Sequence, residues 1–306
     1  MSNDNLNTAK KVKNNEFYTR YEDIDKELKH YNLKGKSIYC NTDDYRKSNF
    51  VKYFVDNFNR LGIGKITATC LDNGDGAYMY QYDGINAIQR KLEGNGDFRS
   101  AECVELLKQS DVVVSNPPFS LFREYMAQLM EYGKKFLIIG NMNVITYKEI
   151  FPLIKDNKIW LGVSIKSGDR KFYVPDNYPL NASGCGIDEN GKRFTCINSV
   201  RWFTNIDHKK NNPPLDLYKK YNPKDYPKYD NYDAINVNKT SDIPMDYDGV
   251  MGVPITFLDK YCPTQFEIAG LMSGGKGENL TNGNDGRAKF YVNGKGVYAR
   301  VLIRRK

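Results

Sequence analysis

The apolar positions of this chain follow two alternating patterns. Short runs of β-branched and aromatic residues read as buried strands, and between them apolar residues recur every three or four positions, as on a helix face. Ser37-Ile38-Tyr39-Cys40, Lys65 to Cys70, Val112-Val113-Val114 and Phe136-Leu137-Ile138-Ile139 are of the first kind. Phe50, Tyr53, Phe54 and Phe58 mark a helix, as do Cys103, Leu106 and Leu107, and then Phe122, Met126, Leu129 and Met130. Strand alternating with helix predicts an α/β fold with a mostly parallel, doubly wound sheet and right-handed crossovers. Ser120 stands where it would cap the third helix, and Gly133 where it would close it. Leu71 to Gly84, rich in Gly and Asp, reads as a loop or a small hairpin. Tyr147 to Ile154 looks helical, with Pro152 limiting it. Trp160 to Val163, Lys171 to Val174 and Val200 to Thr204 read as strands.

The pattern changes near Asp207. His208 to Lys239 is dense in Lys, Asn, Pro and Tyr and reads as an extended surface segment. Beyond it come Val250 to Phe257, Phe266 to Leu271, the Gly/Asn-rich loop Ser273 to Gly286, and an Asn293-Gly294 turn. That dipeptide predicts a hairpin between Tyr291-Val292 and Val297 to Ile303. The chain therefore divides into residues 1–207 and a smaller C-terminal region, 208–306.

Composition narrows the class. Of 306 residues, 40% are hydrophobic and 27% charged, which suits a globular protein with a sizeable core. No apolar run approaches the roughly 18 residues that span a bilayer, and the polar N-terminus carries no signal-peptide pattern, so the expectation is a cytoplasmic protein with no membrane association. Six cysteines at scattered spacings fit reduced, mostly buried thiols rather than a zinc site or a disulfide scaffold. With only His30 and His208, neither a His-based triad nor a His-rich metal site is supported, and no metal is expected. The net charge of +8 is informative mainly in its distribution: Arg287, Lys289, Lys295, Arg300, Arg304, Arg305 and Lys306 run to the C-terminus without an acid, which suits either a solvated tail or a phosphate-contacting face.

One stretch carries candidate chemistry. The strand Val112 to Val114 ends in Ser115-Asn116-Pro117-Pro118-Phe119, and a helix follows. Proline sterics push Asn116 towards extended backbone, and Pro117 and Pro118 stiffen the turn while leaving carbonyls as acceptors. Such a turn lies at the carboxyl end of a strand, where open α/β sheets bind ligands. An amide oxygen and a carbonyl beside an aromatic ring suit an exocyclic amino group on a flat heterocycle. The same residues also suit a plain proline-rich turn, as at Asn212-Pro213-Pro214-Leu215, which has neither a preceding strand nor a following aromatic.

Four stretches in order resemble the EcoRI-type N6-adenine DNA methyltransferase family: Glu16-Phe17-Tyr18-Thr19, Tyr39-Cys40-Asn41-Thr42-Asp43-Asp44, Gly96-Asp97-Phe98-Arg99-Ser100 and Ser115 to Ser120. Phe136 to Asn143, Val200 to His208 and Asp248 to Pro254 are similar to it as well, so the likeness spans most of the chain. The resemblance implies a Rossmann-like domain that binds S-adenosylmethionine and a C-terminal target-recognition part. It implies a catalytic loop of Asn116, Pro117, Pro118 and Phe119. Phe17, Tyr18 and Thr19 would hold the methionine end of the cofactor, Asp43 would sit near its amino group, Asp97 and Phe98 would contact its adenine, and Asn41 would be a further cofactor-binding residue. Double-stranded DNA is the implied partner, with a restriction endonuclease as a candidate functional partner and a monomer as the implied state.

Two departures from the wider amino-methyltransferase pattern stand out. The first strand ends in Asn41-Thr42-Asp43-Asp44 where a Gly-rich turn is usual, and the second ends in Thr69-Cys70-Leu71-Asp72, where the ribose-gripping acid is not plainly placed. The implied reaction is methyl transfer to N6 of a flipped-out adenine, with Phe119 stacked on the base. Hydrogen bonds from the amino group to Asn116 and to the Pro117 carbonyl favour a tetrahedral nitrogen, and alignment with an electrophilic methyl supplies much of the rest. Lys209 to Lys239 and Ser273 to Gly286 are candidates for reading bases. Two alternatives remain at this level: an amino-methyltransferase acting on RNA or a protein glutamine, and a non-catalytic nucleic-acid-binding protein on a methyltransferase fold.

Overall fold

A computed structural model of the chain describes residues 17–72, 74, 76–166, 170–208, 212–273 and 290–306. Two compact units make up the chain. One comprises Met1–Met142 with Gly162–Lys209, the other Asn143–Leu161 with Lys210–Lys306. The second unit starts close to the compositional change at Asp207. It also takes a segment from mid-chain that nothing in the composition marks.

The first unit is α/β. Its elements in order are α1 (Tyr21–Leu28), β1 (Ser37–Cys40), α2 (Asn49–Asp56), β2 (Lys65–Thr69), β3 (Tyr78–Tyr82), β4 (Ala87–Lys91), α3 (Ala101–Lys108), β5 (Val112–Ser115), α4 (Phe122–Glu131), β6 (Lys135–Asn141), β7 (Arg170–Tyr173), β8 (Cys185–Ile187), β9 (Arg193–Ile197) and β10 (Val200–Thr204). The main sheet runs β4-β3-β2-β1-β5-β6-β10. Its centre, β2-β1-β5-β6, is parallel. On one side β3 and β4 are antiparallel, and on the other β10 pairs antiparallel with β6, so the sheet is mixed where the alternation predicts a mostly parallel one. A second, three-stranded sheet is antiparallel, in the order β7-β9-β8.

The parallel centre follows from sequence in a simple way. Every residue of β5 is buried, and β6 is buried from Phe136 to Gly140, as strands covered on both faces must be. Ile38, Val112, Val114, Leu137, Ile139 and Trp202 from the sheet share one core cluster with Ile24, Leu28, Phe50 and Phe54 from the helices. The chain leaves β1 for β2 on one side and later returns to β5 on the other. Next to β1 the winding therefore reverses, and the carboxyl ends of β1 and β5 flank a crevice where such sheets hold ligands.

Two local expectations change and one holds. The Gly/Asp-rich stretch from Leu71 gives way at Tyr78 to β3 and β4, with Asp83 accepting the Ile85 and Asn86 N–H groups at the turn (2.9 and 2.7 Å). Ser120 is exposed within a 3-10 turn, Phe119–Leu121, and does not cap α4. Pro118 (φ −55°, ψ 123°) opens that turn, and its carbonyl accepts the Leu121 N–H at 2.9 Å. Gly133, with φ 59°, closes α4 while the Lys134 N–H reaches the Leu129 carbonyl at 2.9 Å.

In the second unit, α5 (Phe151–Lys155) carries Pro152 in its first turn, so proline starts this helix rather than limiting it. Five strands form a sheet in the order β11 (Lys228–Tyr229), β12 (Tyr232–Asn236), β13 (Met251–Pro254), β17 (Arg300–Arg305) and β14 (Phe266–Met272). Helix α5 packs on β14. Strands β15 (Tyr291–Val292) and β16 (Lys295–Gly296) pair antiparallel about Asn293-Gly294. The partner of Tyr291-Val292 is thus this short strand. Arg300–Arg305 pairs with β13 and β14 instead. Within the Tyr-rich segment, Tyr226 and Tyr229 are buried, their hydroxyls donating to the Asp242 carbonyl and the Asn236 side chain, both at 2.8 Å. Apart from Ser273, the loop Ser273 to Gly286 lies outside the described residues, as do Lys209 to Asn211. No disulfide links the six cysteines, and no described helix is long and apolar enough to cross a membrane.

Candidate active site

A cavity of about 270 Å³ opens at the carboxyl ends of the central strands. Phe17, Tyr18 and Thr19 line it from the segment ahead of α1, Asn41 and Asp43 from the end of β1, Asp97 and Phe98 from the loop before α3, and Asn116 and Pro118 from the end of β5. Chain segments far apart in sequence thus converge on one space. Pro117 is buried and Phe119 half-buried; neither lines this cavity. Phe119 instead lies against Phe17, with ring centroids 6.2 Å apart and planes 29° from parallel.

Asn116 is held by one end and open at the other. Its Nδ2 donates to the Phe17 carbonyl at 2.7 Å, which fixes the amide plane. Its Oδ1 is buried and has no hydrogen-bond partner among the described residues. Asn41 shows the reverse: Oδ1 accepts from the Tyr125 hydroxyl, and Nδ2 is the buried atom without a partner among the described residues. Thr19 Oγ1 is a third such atom. Buried polar atoms are nearly always satisfied, and three orphans lining one cavity point to a ligand that satisfies them.

Asp43 ties the ends of β1 and β5 together. Its Oδ2 accepts from the Ser115 hydroxyl at 2.5 Å and its Oδ1 from the Ser48 hydroxyl at 2.6 Å. Ser115 has a single hydroxyl proton, so the 2.5 Å contact with Thr42 Oγ1 is one in which Thr42 donates. Ser48 also caps α2, accepting the Phe50 N–H at 3.1 Å. Burial of the Asp43 carboxyl raises its pKa to about 6, against the two hydroxyls that lower it.

The other two acids facing the cavity are each matched by the arginine two residues on. Asp44 takes Arg46 in a two-pronged pair at 2.9 and 2.9 Å, and Asp97 takes Arg99 at 2.9 and 2.7 Å. The Arg99 guanidinium holds the Asp97 carboxyl below its ordinary value. At Asp44, burial pushes the other way and Arg46 outweighs it. Arg99 also reaches Glu124 at 2.6 Å, linking this loop to α4. Phe98 packs edge-on to Tyr125 at 5.0 Å. Asp72, at the end of the second strand, does not line the cavity. Its Oδ1 accepts the Gly74 and Gly76 N–H groups, each at 2.8 Å.

Sequence reasoning left several lining residues without a role, among them Thr42, Asp44, Ser48, Asn49, Cys70, Leu71 and Gly96. Gly96 had a readable signal. With φ 75° it passes so close to the end of β2 that an added Cβ would stand 2.0 Å from the Cys70 carbonyl oxygen.

Comparison with known proteins agrees over nearly the whole chain. The model of a family described as adenine-specific methyltransferase EcoRI matches residues 5–306. The type II methyltransferase M.EcoRI of Escherichia coli is 49% identical, covering 98% of this chain and 96% of its own. The type II methyltransferases M.MgeORF184P of Mycoplasma genitalium and M.MpnI of Mycoplasma pneumoniae are 40% and 39% identical, with 98% of each chain covered. No solved structure matches. The chain belongs to the EcoRI adenine-specific methyltransferase family.

As a member of the EcoRI family, the chain is a site-specific DNA methyltransferase acting on adenine, and its class implies S-adenosylmethionine as the methyl donor. The residues present fit that donor. Its amino-acid end carries an ammonium and a carboxylate, and the cavity offers one carboxylate without an arginine partner, Asp43, for the first, with Asn41 Nδ2 as an unused donor for the second and Thr19 Oγ1 as a further unused polar atom. Phe17 and Phe98 supply aromatic walls.

Proposed function

We propose that this enzyme methylates N6 of an adenine flipped out of double-stranded DNA, with Asn116 receiving the target amino group. The observation that carries the reading is the buried, unused Asn116 Oδ1 at the end of β5, aimed by the bond from Nδ2 to Phe17. When bound, S-adenosylmethionine supplies a methyl group already activated by its sulfonium. Every other requirement falls on the chain.

Asn116 Oδ1 accepts one N6 hydrogen and the Pro117 carbonyl the other, which draws the nitrogen lone pair out of the ring and towards the methyl. Fixed acceptors of this kind matter most in the transition state, where removing one costs about 2.7–4 kcal/mol. Phe119, steadied by Phe17, stacks on the extruded base. Phe17, Tyr18 and Thr19 hold the methionine end of the donor, Asp43 takes its ammonium, Asn41 Nδ2 donates to its carboxylate, and Asp97 and Phe98 contact its adenine. The Asp44–Arg46 and Asp97–Arg99 pairs hold the two rim loops in shape.

The reading extends to architecture. Residues 1–207 act as a Rossmann-like catalytic domain and 208–306 as the target-recognition region, with the basic C-terminal stretch contacting phosphates. The protein works as a cytoplasmic monomer, and a restriction endonuclease of the same specificity is its candidate functional partner.

The test is transfer of labelled methyl from S-adenosylmethionine to unmethylated duplex DNA, followed by nucleoside analysis, for wild type and Asn116→Ala. Label in N6-methyladenine, lost on substitution while cofactor binding persists, supports the reading. Label in RNA or in a protein but not in DNA overturns the substrate, and a cavity that binds no cofactor overturns the chemistry.

A further inference from the structure

The hairpin of β15 and β16 is rigidly mounted. Its turn, Asn293-Gly294, has positive φ at both positions, 50° and 73°, the backbone that matches the twist of the flanking strands. The Asp230 carboxylate accepts both turn N–H groups, from Asn293 at 3.1 Å and from Gly294 at 2.7 Å. The Asn231 side chain accepts the Tyr291 N–H at 3.2 Å, and the Asp230 N–H donates to the Tyr291 carbonyl at 2.8 Å. Beneath the ribbon, Phe290 lies flat on Tyr229 with centroids 4.0 Å apart, and Val292 and Val297 join the same small cluster. The inward positions are accounted for.

The outward positions are unusual. Tyr298 is 93% exposed and Tyr291 40%, and exposed Lys295 stands between glycines at 294 and 296. Gly294 has open space where a side chain would be, so a ligand can approach the backbone closely. From Phe290 to the C-terminus there are five basic residues, Lys295, Arg300, Arg304, Arg305 and Lys306, and no acid. The turn between β11 and β12 adds Asp230 nearby, and β12 adds Asp233. Asp230 is engaged by the turn amides, and Asp233 pairs with Lys228 at 2.9 Å. Tyr291 pairs with Gly296 and faces away from Val292, whereas Lys295 pairs with Val292 at the end of the ribbon and is exposed there. A two-stranded ribbon with an aromatic outer face and a cation at its tip is an element that the major groove of B-DNA admits.

We propose that this hairpin is a DNA-contacting ribbon of the target-recognition region, with Lys295 on a backbone phosphate and Tyr291 and Tyr298 packed on sugar and base edges. The proposal rests on the DNA-methyltransferase reading above. Neither tyrosine nor the lysine belongs to the cofactor cavity, so their loss leaves cofactor affinity alone.

The experiment uses the full chain as wild type, Tyr298→Ala and Lys295→Ala. Unmethylated plasmid DNA first reveals the methylated site, and a short duplex bearing that site is then titrated at several salt concentrations. Tyr298→Ala is expected to raise the duplex Kd about 10-fold, the effect of one lost aromatic contact. Lys295→Ala is expected to reduce the slope of log Kd against log salt by about 1. Melting temperature and S-adenosylmethionine affinity stay at wild-type values. An active wild type whose two variants bind and methylate DNA as it does overturns the hairpin proposal alone. A wild type that leaves duplex DNA unmethylated overturns the underlying reading and this proposal with it.

Discussion

The Ser115 hydroxyl donates to the Asp43 carboxylate at 2.5 Å, across the boundary between the ends of two neighbouring parallel strands. Seventy-two residues separate the two in sequence. The bond makes the loop that carries Asn116 and the turn that carries Asp43 one mechanical piece, so the protonation state of Asp43 bears on both.

With its pKa raised to about 6, Asp43 is ionised at neutral pH and becomes neutral just below it. If its charge meets the cofactor ammonium, affinity holds steady above pH 6 and weakens about tenfold per unit below it. Asp43→Asn abolishes that dependence at the cost of weaker binding throughout. Folding responds in the opposite sense. A raised carboxyl pKa favours the protonated folded state, so this contribution is full below the ordinary carboxylate value and is lost as pH rises through about 6. Asp43→Asn is therefore expected to melt higher than wild type at pH 7 while binding cofactor poorly. Calorimetric titration and thermal melts across pH 5 to 8 check both signs.

Asn116→Asp tests the aiming of the loop. The Phe17 carbonyl accepts a hydrogen bond from Asn116 Nδ2. An aspartate cannot donate there, so two acceptors face each other and the side chain turns away. Expected are a fall in kcat of about 100-fold or more and a weaker cofactor affinity, because Phe17 is part of the same cavity wall. Single-turnover rates and cofactor titration separate the two effects.

Gly96→Ala meets the Cys70 carbonyl at 2.0 Å in a backbone region that only glycine enters freely. Strain of this kind costs about 1–3 kcal/mol before any displacement of the loop. The variant should melt several degrees lower and bind cofactor less well, since Asp97 and Phe98 move with the loop. A variant with wild-type melting and affinity would show that this loop and the end of β2 part easily.

Glu27 is fully buried, and its carboxylate accepts the Tyr31 hydroxyl at 2.6 Å, the Val163 N–H at 2.8 Å and the Ser164 N–H at 2.6 Å. Glu27→Gln presents an NH₂ group to one of these donors. A loss of about 2–3 kcal/mol is expected, seen as a lower denaturant midpoint at unchanged m-value.

The parallel centre of the fold was legible because β5 and β6 are continuous apolar runs, which only double-sided burial explains. Strand β4 was not. All five of its residues, Ala87 to Lys91, are exposed, so no hydrophobic pattern could mark it. Strand β3 alternates tyrosine with Met79 and Gln81 directly after a Gly/Asp-rich stretch, so the sequence left a loop and a small hairpin both open there, and the hairpin is what forms. At the site, the Asn-Pro-Pro-Phe turn was visible as a local break. The Thr42–Ser115–Asp43–Ser48 chain was not, because small hydroxyl side chains carry no periodic signal and meet only when β1 lies beside β5. The role of Pro152 was misread for a related reason: a proline looks the same at the end of a helix as at its beginning.

The second compact unit draws on two separate stretches of chain, and α5 from the first of them packs on β14 from the second. If target specificity follows this unit, it cannot be exchanged as a single cassette. A chimera that grafts residues 208–306 alone onto another member of the family inherits β14 without the helix that evolved against it. Exchange has to carry Asn143–Leu161 as well, two cuts inside the reading frame rather than one junction. In lineages where type II enzymes diverge in target, substitutions in that mid-chain insert should track those in the C-terminal third.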